Sequence, residues 1–371
     1  MTKTEHAAPA KGLYAGDDAA PIRVGVSSCL LGEQVRFDGG HKRSDFLVET
    51  LGRFVEFVPV CPEMEIGLGV PRETLRLVRK GDAVRLVADK SGLDHTDKMN
   101  TFAQRRTIAL GREDLSGYVL KKNSPSCGME RVRVYGASGM ATREGAGLFA
   151  SALMRRYPSL PIEEEGRLND PHLRENFVER VFAYRRLRSF FSARWTLGGL
   201  VQFHTAHKLV LMAHSPKAYS ELGRFVANAK RLARDDIRND YEFAFMAALK
   251  KLATTARHTN VLQHMLGYLR EHLDPASRAE LVALIDDYRR RLVPLIVPIT
   301  LFRHYVREFD VAYLRGQVYL EPHPKEADAP QPRLKRERGQ DAAGSAREVG
   351  AGGEHLYCQP SWTRGWGGCS S

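Results

Sequence analysis

The sequence predicts an α/β domain built on an open parallel, Rossmann-like sheet, followed by an all-α helical bundle domain and a disordered C-terminal tail. Three observations carry that reading. Short apolar runs between residues 22 and 120 each end in a loop rich in Gly, Ser or Pro, as buried strands do. From Trp195 onward apolar residues recur at helical spacing with no alternating stretch between them. Beyond residue 321, Pro, Gly, Ala and charge mix without any period. A chain of 371 residues, 43% of them hydrophobic, is long enough for two domains with separate cores.

Residues 1–20 have no apolar period and read as a disordered start. The run IRVGV at 22–26 is a short strand that breaks into SSCLLG, leaving Cys29 just past its end. A helix-like stretch follows at 44–54. FVEFVPV at 54–60 is a second strand, and it delivers Cys61 straight into CPEMEIGLGVPR. The segments LRLV (75–78) and VRLV (84–87) alternate and read as a hairpin, a peripheral insertion. An amphipathic helix is expected over about 94–115, with Asp94 or Thr96 capping its start. A third strand at 118–120 opens into the loop KKNSPSCG with Cys127. The first domain is therefore set at 21–162, and a charge run at about 163–170 marks the boundary. The second domain, 170–320, begins with an amphipathic helix, and later helices are marked at 197–212, 241–252, 261–273, 276–292 and 294–309. The tail is 321–371.

The formal charge of +12 is uneven. Residues 1–154 hold 22 basic and 19 acidic side chains, residues 155–320 hold 27 and 18, and residues 321–371 hold 7 and 7. The excess lies in the helical domain, where Arg224, Lys230, Arg231 and Arg234 suggest a basic face that could receive nucleic acid, RNA or DNA, or else a solvated helix surface. No run reaches the ~18 apolar residues of a membrane span, and 1–20 lacks a signal-like apolar stretch, so a cytoplasmic protein without membrane contact is expected.

Five cysteines without a signal do not make a disulfide framework, and two of them, Cys358 and Cys369, fall in the tail. The other three each follow a strand. In an open parallel sheet, ligands bind outside the carboxyl ends of the strands, so Cys29, Cys61 and Cys127 would share that edge. Their separations fit no compact zinc or ferredoxin motif, so the fold rather than local sequence must bring them together. Asp38 with Gly39 and Gly40, Glu63, and Ser124 with Lys121, Lys122 and Asn123 stand in the same loops. Glu63 is a candidate acid or base, while Asp38 and Ser124 suit turns as well as chemistry. Three thiolates could hold zinc with water as fourth ligand, or three corners of a 4Fe-4S cluster with one iron open.

The strings GVSSCLLGEQVRFDGGHK, PVCPEMEIGLGVPRE, KKNSPSCGMERVRVY and GAGLFASAL, over roughly residues 22–160, resemble the domain of bacterial thiouracil desulfidases. With a helical domain behind it, the whole chain resembles the YbgA-like two-domain proteins. The first resemblance implies a 4Fe-4S cluster on Cys29, Cys61 and Cys127, and an activity that replaces the thiocarbonyl sulfur of a small thiolated pyrimidine with oxygen from water. It further implies Glu63 as the group that activates water or moves a proton, with Ser124 and Asp38 orienting the base or relaying protons. The hairpin and the fused second domain depart from the plain family.

In LVQFHTAHKLVLMAHSPKAY, His204, His207 and His214 come near one helical face. A metal or phosphate stripe is one reading, and histidines satisfying core hydrogen bonds is the preferred one. Two function classes stand: an iron-sulfur desulfidase, or a metal-binding regulatory or nucleic-acid-binding protein whose cysteines are structural or sensory. The sequence leaves the oligomeric state open.

Overall fold

A computed structural model describes residues 21–327, and the expected disordered start and most of the expected tail lie outside the described residues. Eight strands are present among them: β1 (Arg23–Ser27), β2 (Glu56–Val60), β3 (Leu75–Lys80), β4 (Ala83–Ala88), β5 (Leu115–Leu120), β6 (Val132–Tyr135), β7 (Ala141–Gly145) and β8 (Ile162–Glu164). The first helices are α1 (Pro62–Glu65), α2 (Thr96–Leu110) and α3 (Leu148–Arg156). The rest follow β8: α4 (Pro171–Ser192), α5 (Leu197–Ala206), α6 (Lys208–His214), α7 (Pro216–Asn228), α8 (Arg234–Leu249), α9 (Thr255–Leu269), α10 (Pro275–Arg289), α11 (Ile296–Glu308) and α12 (Ala312–Arg315).

The first sheet is parallel throughout, in the order β2-β1-β5-β8. All six residues of β5 are buried, as expected of a strand covered on both faces. Its side chains alternate between two cores. Val119 packs with Val24, Val26, Phe177 and Val181, under α4 and the helical turns at 46–53. Tyr118 and Leu120 face the other way, toward Phe102 of α2 and Phe149 of α3. Gly117 allows α4 to lie close, because a Cβ there would stand 2.7 Å from Val181 Cγ2. The start of α4 follows from Asp170, which accepts from the backbone N–H of His172 and Leu173, and from Pro171 in the first turn.

The expected peripheral hairpin is instead structural. β3 and β4 pair antiparallel, but β3 also pairs parallel with β6, giving a second sheet in the order β4-β3-β6-β7. Leu77 and Leu86 of the hairpin are buried, with Val132 and Val134 of β6. β7 (ATREG) is almost wholly polar and exposed, so hydrophobic pattern could not reveal it. Of the two residues expected to cap α2, Asp94 meets its start, Oδ1 accepting from the Thr96 N–H at 3.0 Å, while Thr96 Oγ1 turns away to accept from the Leu86 N–H. Two further expectations are corrected. The single helix expected at 197–212 is two, α5 and α6, broken at His207. The expected tail begins too early: Ala327 is fully buried, and the Pro322 carbonyl accepts from Arg186.

Candidate active site

The carboxyl edge of the first sheet opens on a cavity of about 410 Å³. Three adjacent strands deliver the three cysteines to it. Cys29 sits in the 3-10 turn Ser28–Leu31 directly after β1, Cys61 is the N-cap of α1 directly after β2, and Cys127 lies in the loop after β5. Because β2 and β5 flank β1 on opposite sides, this is the point where chain connections diverge and a crevice forms.

The Cys127 loop is shaped by its neighbours. Ser124 Oγ accepts from the N–H groups of Ser126 (3.3 Å) and Cys127 (3.1 Å), and Asn123 takes a left-handed φ of 59°. The start of α3 binds the loop from outside: Leu148 N–H donates to the Pro125 carbonyl, and Phe149 and Ala150 N–H to that of Ser126. Gly147 must be glycine here, since a Cβ would fall 2.4 Å from the Ser126 carbonyl carbon and oxygen. That contact gives the string GAGLFASAL its physical meaning.

Glu63, in the first turn of α1, reaches across to this loop. Ser126 Oγ donates to Glu63 Oε1 at 2.7 Å, lies 3.0 Å from Ser124 Oγ, and approaches Cys127 Sγ at 3.8 Å. Arg72 occupies the other carboxylate oxygen, donating to Oε2 from Nε at 3.0 Å and from Nη2 at 2.7 Å. On the β5 side Lys121 Nζ donates to Glu165 Oε1 at 2.5 Å, and Glu165 Oε2 accepts from the Lys122 N–H at 2.7 Å.

Glu63, Ser124 and all three cysteines line the cavity, with Lys121, Lys122 and Asn123. Asp38 does not. It is half exposed and closes a turn by accepting from the Gly40 N–H at 3.1 Å, a bond that holds its carboxyl below the usual range. Sequence reasoning misses Arg72, Ser126 and Glu165. Ser126 has a signal, standing beside Ser124 in SPSC. Glu165 has none, because EEE at 163–165 reads as a boundary charge run. The run in fact ends β8, and its three carboxylates serve three different partners: Glu163 accepts from Arg167, Glu164 from the Met129 N–H, and Glu165 from Lys121.

Burial raises all three thiols, Cys29 to about 11 despite the opposing Lys121 charge, with Cys61 and Cys127 raised too. Unliganded, they are neutral, and a bound metal must displace their protons. Among the described residues no three His, Cys, Asp or Glu side chains form a close-set shell for one ion. The donor set fits a thiolate-held group in its chemistry and placement: three soft sulfurs from adjacent strands around one cavity, with Lys121 beside Cys29 to balance thiolate charge.

The histidines of the helical region follow the preferred reading. His204 Nδ1 meets Tyr241 Oη at 3.1 Å, and His207 Nδ1 donates to the Phe203 carbonyl at 2.8 Å. His214 places both ring nitrogens on acceptors, the Lys251 carbonyl and Glu179 Oε2. Of the basic group, Arg234 lies 4.0 Å over the Trp195 ring.

A family model described as 2-thiouracil desulfurase matches residues 24–165, and one described as a protein of unknown function (DUF1722) matches 208–324. The uncharacterized protein YbgA of Escherichia coli (strain K12) is 40% identical over 147 residues, 39% of this chain and 87% of YbgA. The uncharacterized protein YbbK of Bacillus subtilis (strain 168) is 31% identical over 151 residues, again 39% of this chain and 97% of YbbK. The chain belongs to the 2-thiouracil desulfurase family. A solved structure of a [4Fe-4S]-dependent thiouracil desulfidase, TudS, is 32% identical, covering 40% of this chain and 93% of that one, with a TM-score of 0.33. The 2-thiouracil desulfurase domain runs from β1 to the end of β8 and so contains every cavity residue named above, while the DUF1722 match spans α6 to α12. Among the described residues no helix is long and apolar enough to cross a membrane.

Proposed function

We propose that the chain is an iron-sulfur desulfidase that converts the C=S of a thiolated pyrimidine base or nucleoside to C=O. The observation that carries this is the meeting of Cys29, Cys61 and Cys127 with Glu63 around one cavity at the strand ends. Cys29, Cys61 and Cys127 would hold a 4Fe-4S cluster through three irons. When bound, that cluster supplies a thiophilic Lewis acid at its remaining iron. The net reaction exchanges sulfur for oxygen: water adds its oxygen to carbon, sulfur leaves as sulfide, and no electrons are transferred.

The chain's own groups do the rest. Glu63 Oε1 takes a proton from water or returns one, with Ser126 Oγ at 2.7 Å and Ser124 Oγ behind it as the hydroxyl path. Val35 and Leu75 give the cavity apolar wall for a flat ring. Asp38, outside the cavity lining, holds the Gly39-Gly40 turn.

Protein purified without oxygen tests this. About four irons with acid-labile sulfide per chain, lost in Cys29→Ala, Cys61→Ala and Cys127→Ala, together with release of sulfide from a thiolated pyrimidine, is the expected result. Zinc, or no metal after reconstitution, overturns it.

A further inference from the structure

We propose that Arg72 is the positioning residue of the site, fixing Glu63 so that one carboxylate oxygen is free to work in the cavity. This rests on the desulfidase reading for its consequence in turnover, but its geometry stands alone. Arg72 directs Nε and Nη2 at the same oxygen, Glu63 Oε2, and leaves Oε1 to Ser126 and the cavity. Besides a bond from Nη1 to Met64 Sδ at 3.6 Å, it ties down the loops on either side: Nη2 to the Val35 carbonyl, in the loop after Cys29, and Nη1 to the Gly69 carbonyl, in the loop after α1, each at 2.9 Å. Both side chains are largely buried, Arg72 to 7% and Glu63 to 15% exposure. One guanidinium thus joins the acid-base carboxylate, the Cys29 loop and the Cys61 loop. Lysine can supply the charge but not this planar fork. Arg72 touches the carboxylate and acts through it.

The test compares wild type with Arg72→Lys and Arg72→Ala as anaerobically purified full-length protein. Iron content, melting temperature, steady-state kinetics and guanidinium rescue are measured on each. Carbodiimide coupling of an amine to Glu63, followed by peptide mass spectrometry, reads the carboxylate without any turnover. Expected are unchanged iron in Arg72→Lys, kcat lowered by about tenfold or more with KM within about twofold, partial recovery of Arg72→Ala by guanidinium, and faster coupling at Glu63 in both variants. Wild-type kcat in Arg72→Lys, or coupling at Glu63 as slow as in wild type, overturns the proposal. So does loss of iron or fold in both variants without guanidinium recovery, which makes Arg72 a scaffold residue. If wild type desulfurates nothing, the desulfidase reading fails, and the coupling rates alone decide the role of Arg72.

Discussion

Glu63 is the residue on which chemistry and structure can be separated. Its carboxylate bonds Arg72 and Ser126 rather than a cysteine, so Glu63→Gln keeps the size and the hydrogen bond from Ser126 while losing the base. Turnover should fall about 10²- to 10⁴-fold with iron content unchanged, as measured by sulfide release and metal analysis on one preparation. Iron lost along with activity would make Glu63 part of the metal-binding scaffold. Gly147 is the opposite case, a residue with no chemistry that the Cys127 loop depends on. Gly147→Ala forces a methyl into the Ser126 carbonyl and should cost about 1–3 kcal/mol. Thermal unfolding checks the cost, and cluster content should fall too because the displaced peptide carries Cys127. The cysteines, Glu63 and Ser124 are legible in the sequence because each follows a strand end or sits in a turn with distinctive neighbours. Arg72 is not, because an arginine in a loop carries no sign of which carboxylate it will meet nine residues back.

At the scale of elements, buried histidines make the helical region sensitive to acid. His204, His207 and His258 are neutral when folded, since burial lowers them to about 4, 3 and 4 from 6.5. Below pH 6.5 the unfolded chain binds protons that the folded one refuses, so stability falls with pH down to those values. His214, joining α6 to α4, runs the other way. Both its nitrogens must donate, which requires the cation. Burial opposes that charge but Glu179 outweighs it and raises the imidazole, so its contribution is full below 6.5 and fades as pH rises through its folded value. Burial likewise works to raise Glu179, yet His214 brings it down to about 2, so it contributes above its ordinary 4.5 and loses that as pH falls toward 2. Between pH 6.5 and about 4 the His214 contribution is already full and does not change, so the three lowered histidines set the slope there and stability falls with pH. His207 is fully buried between Phe203 and Phe245, and its Nε2 has no partner among the described residues. His207→Leu should therefore flatten the melting temperature against pH over that range, while an unchanged slope would show that His207 does not drive it. The period of apolar residues locates these helices but not the break at His207, because the pattern runs on through it. β6, β7 and β8 escape it for a related reason: they are short or polar and owe their pairing to partners distant in sequence.

The whole molecule differs from its sequence reading most in how the helical part meets the sheet. The region matched to the 2-thiouracil desulfurase family ends at residue 165, yet one face of the sheet is covered by α4, which begins at Pro171. Phe177, Val178 and Val181 share a core with Val24, Val26 and Val119, and each is fully buried. Arg180, also buried, lies beside Glu163 at the end of β8, and Asn176 Nδ2 donates to the Leu249 carbonyl of α8. α4 thus belongs to both cores, and the charge run ahead of it is a strand end and not a linker. A fragment of residues 21–165 should expose the face under α4 and lose the apolar contacts of three large side chains, about 1.5–3 kcal/mol each. A fragment of 21–192 retains them but bares the helix's other side. Melting temperature and dye binding to exposed apolar surface should rank the forms 21–327, 21–192, 21–165 from most to least stable. If 21–165 melts with 21–327 and binds no more dye, α4 is not needed to complete the sheet, and the domain that carries the cavity ends where the family match does.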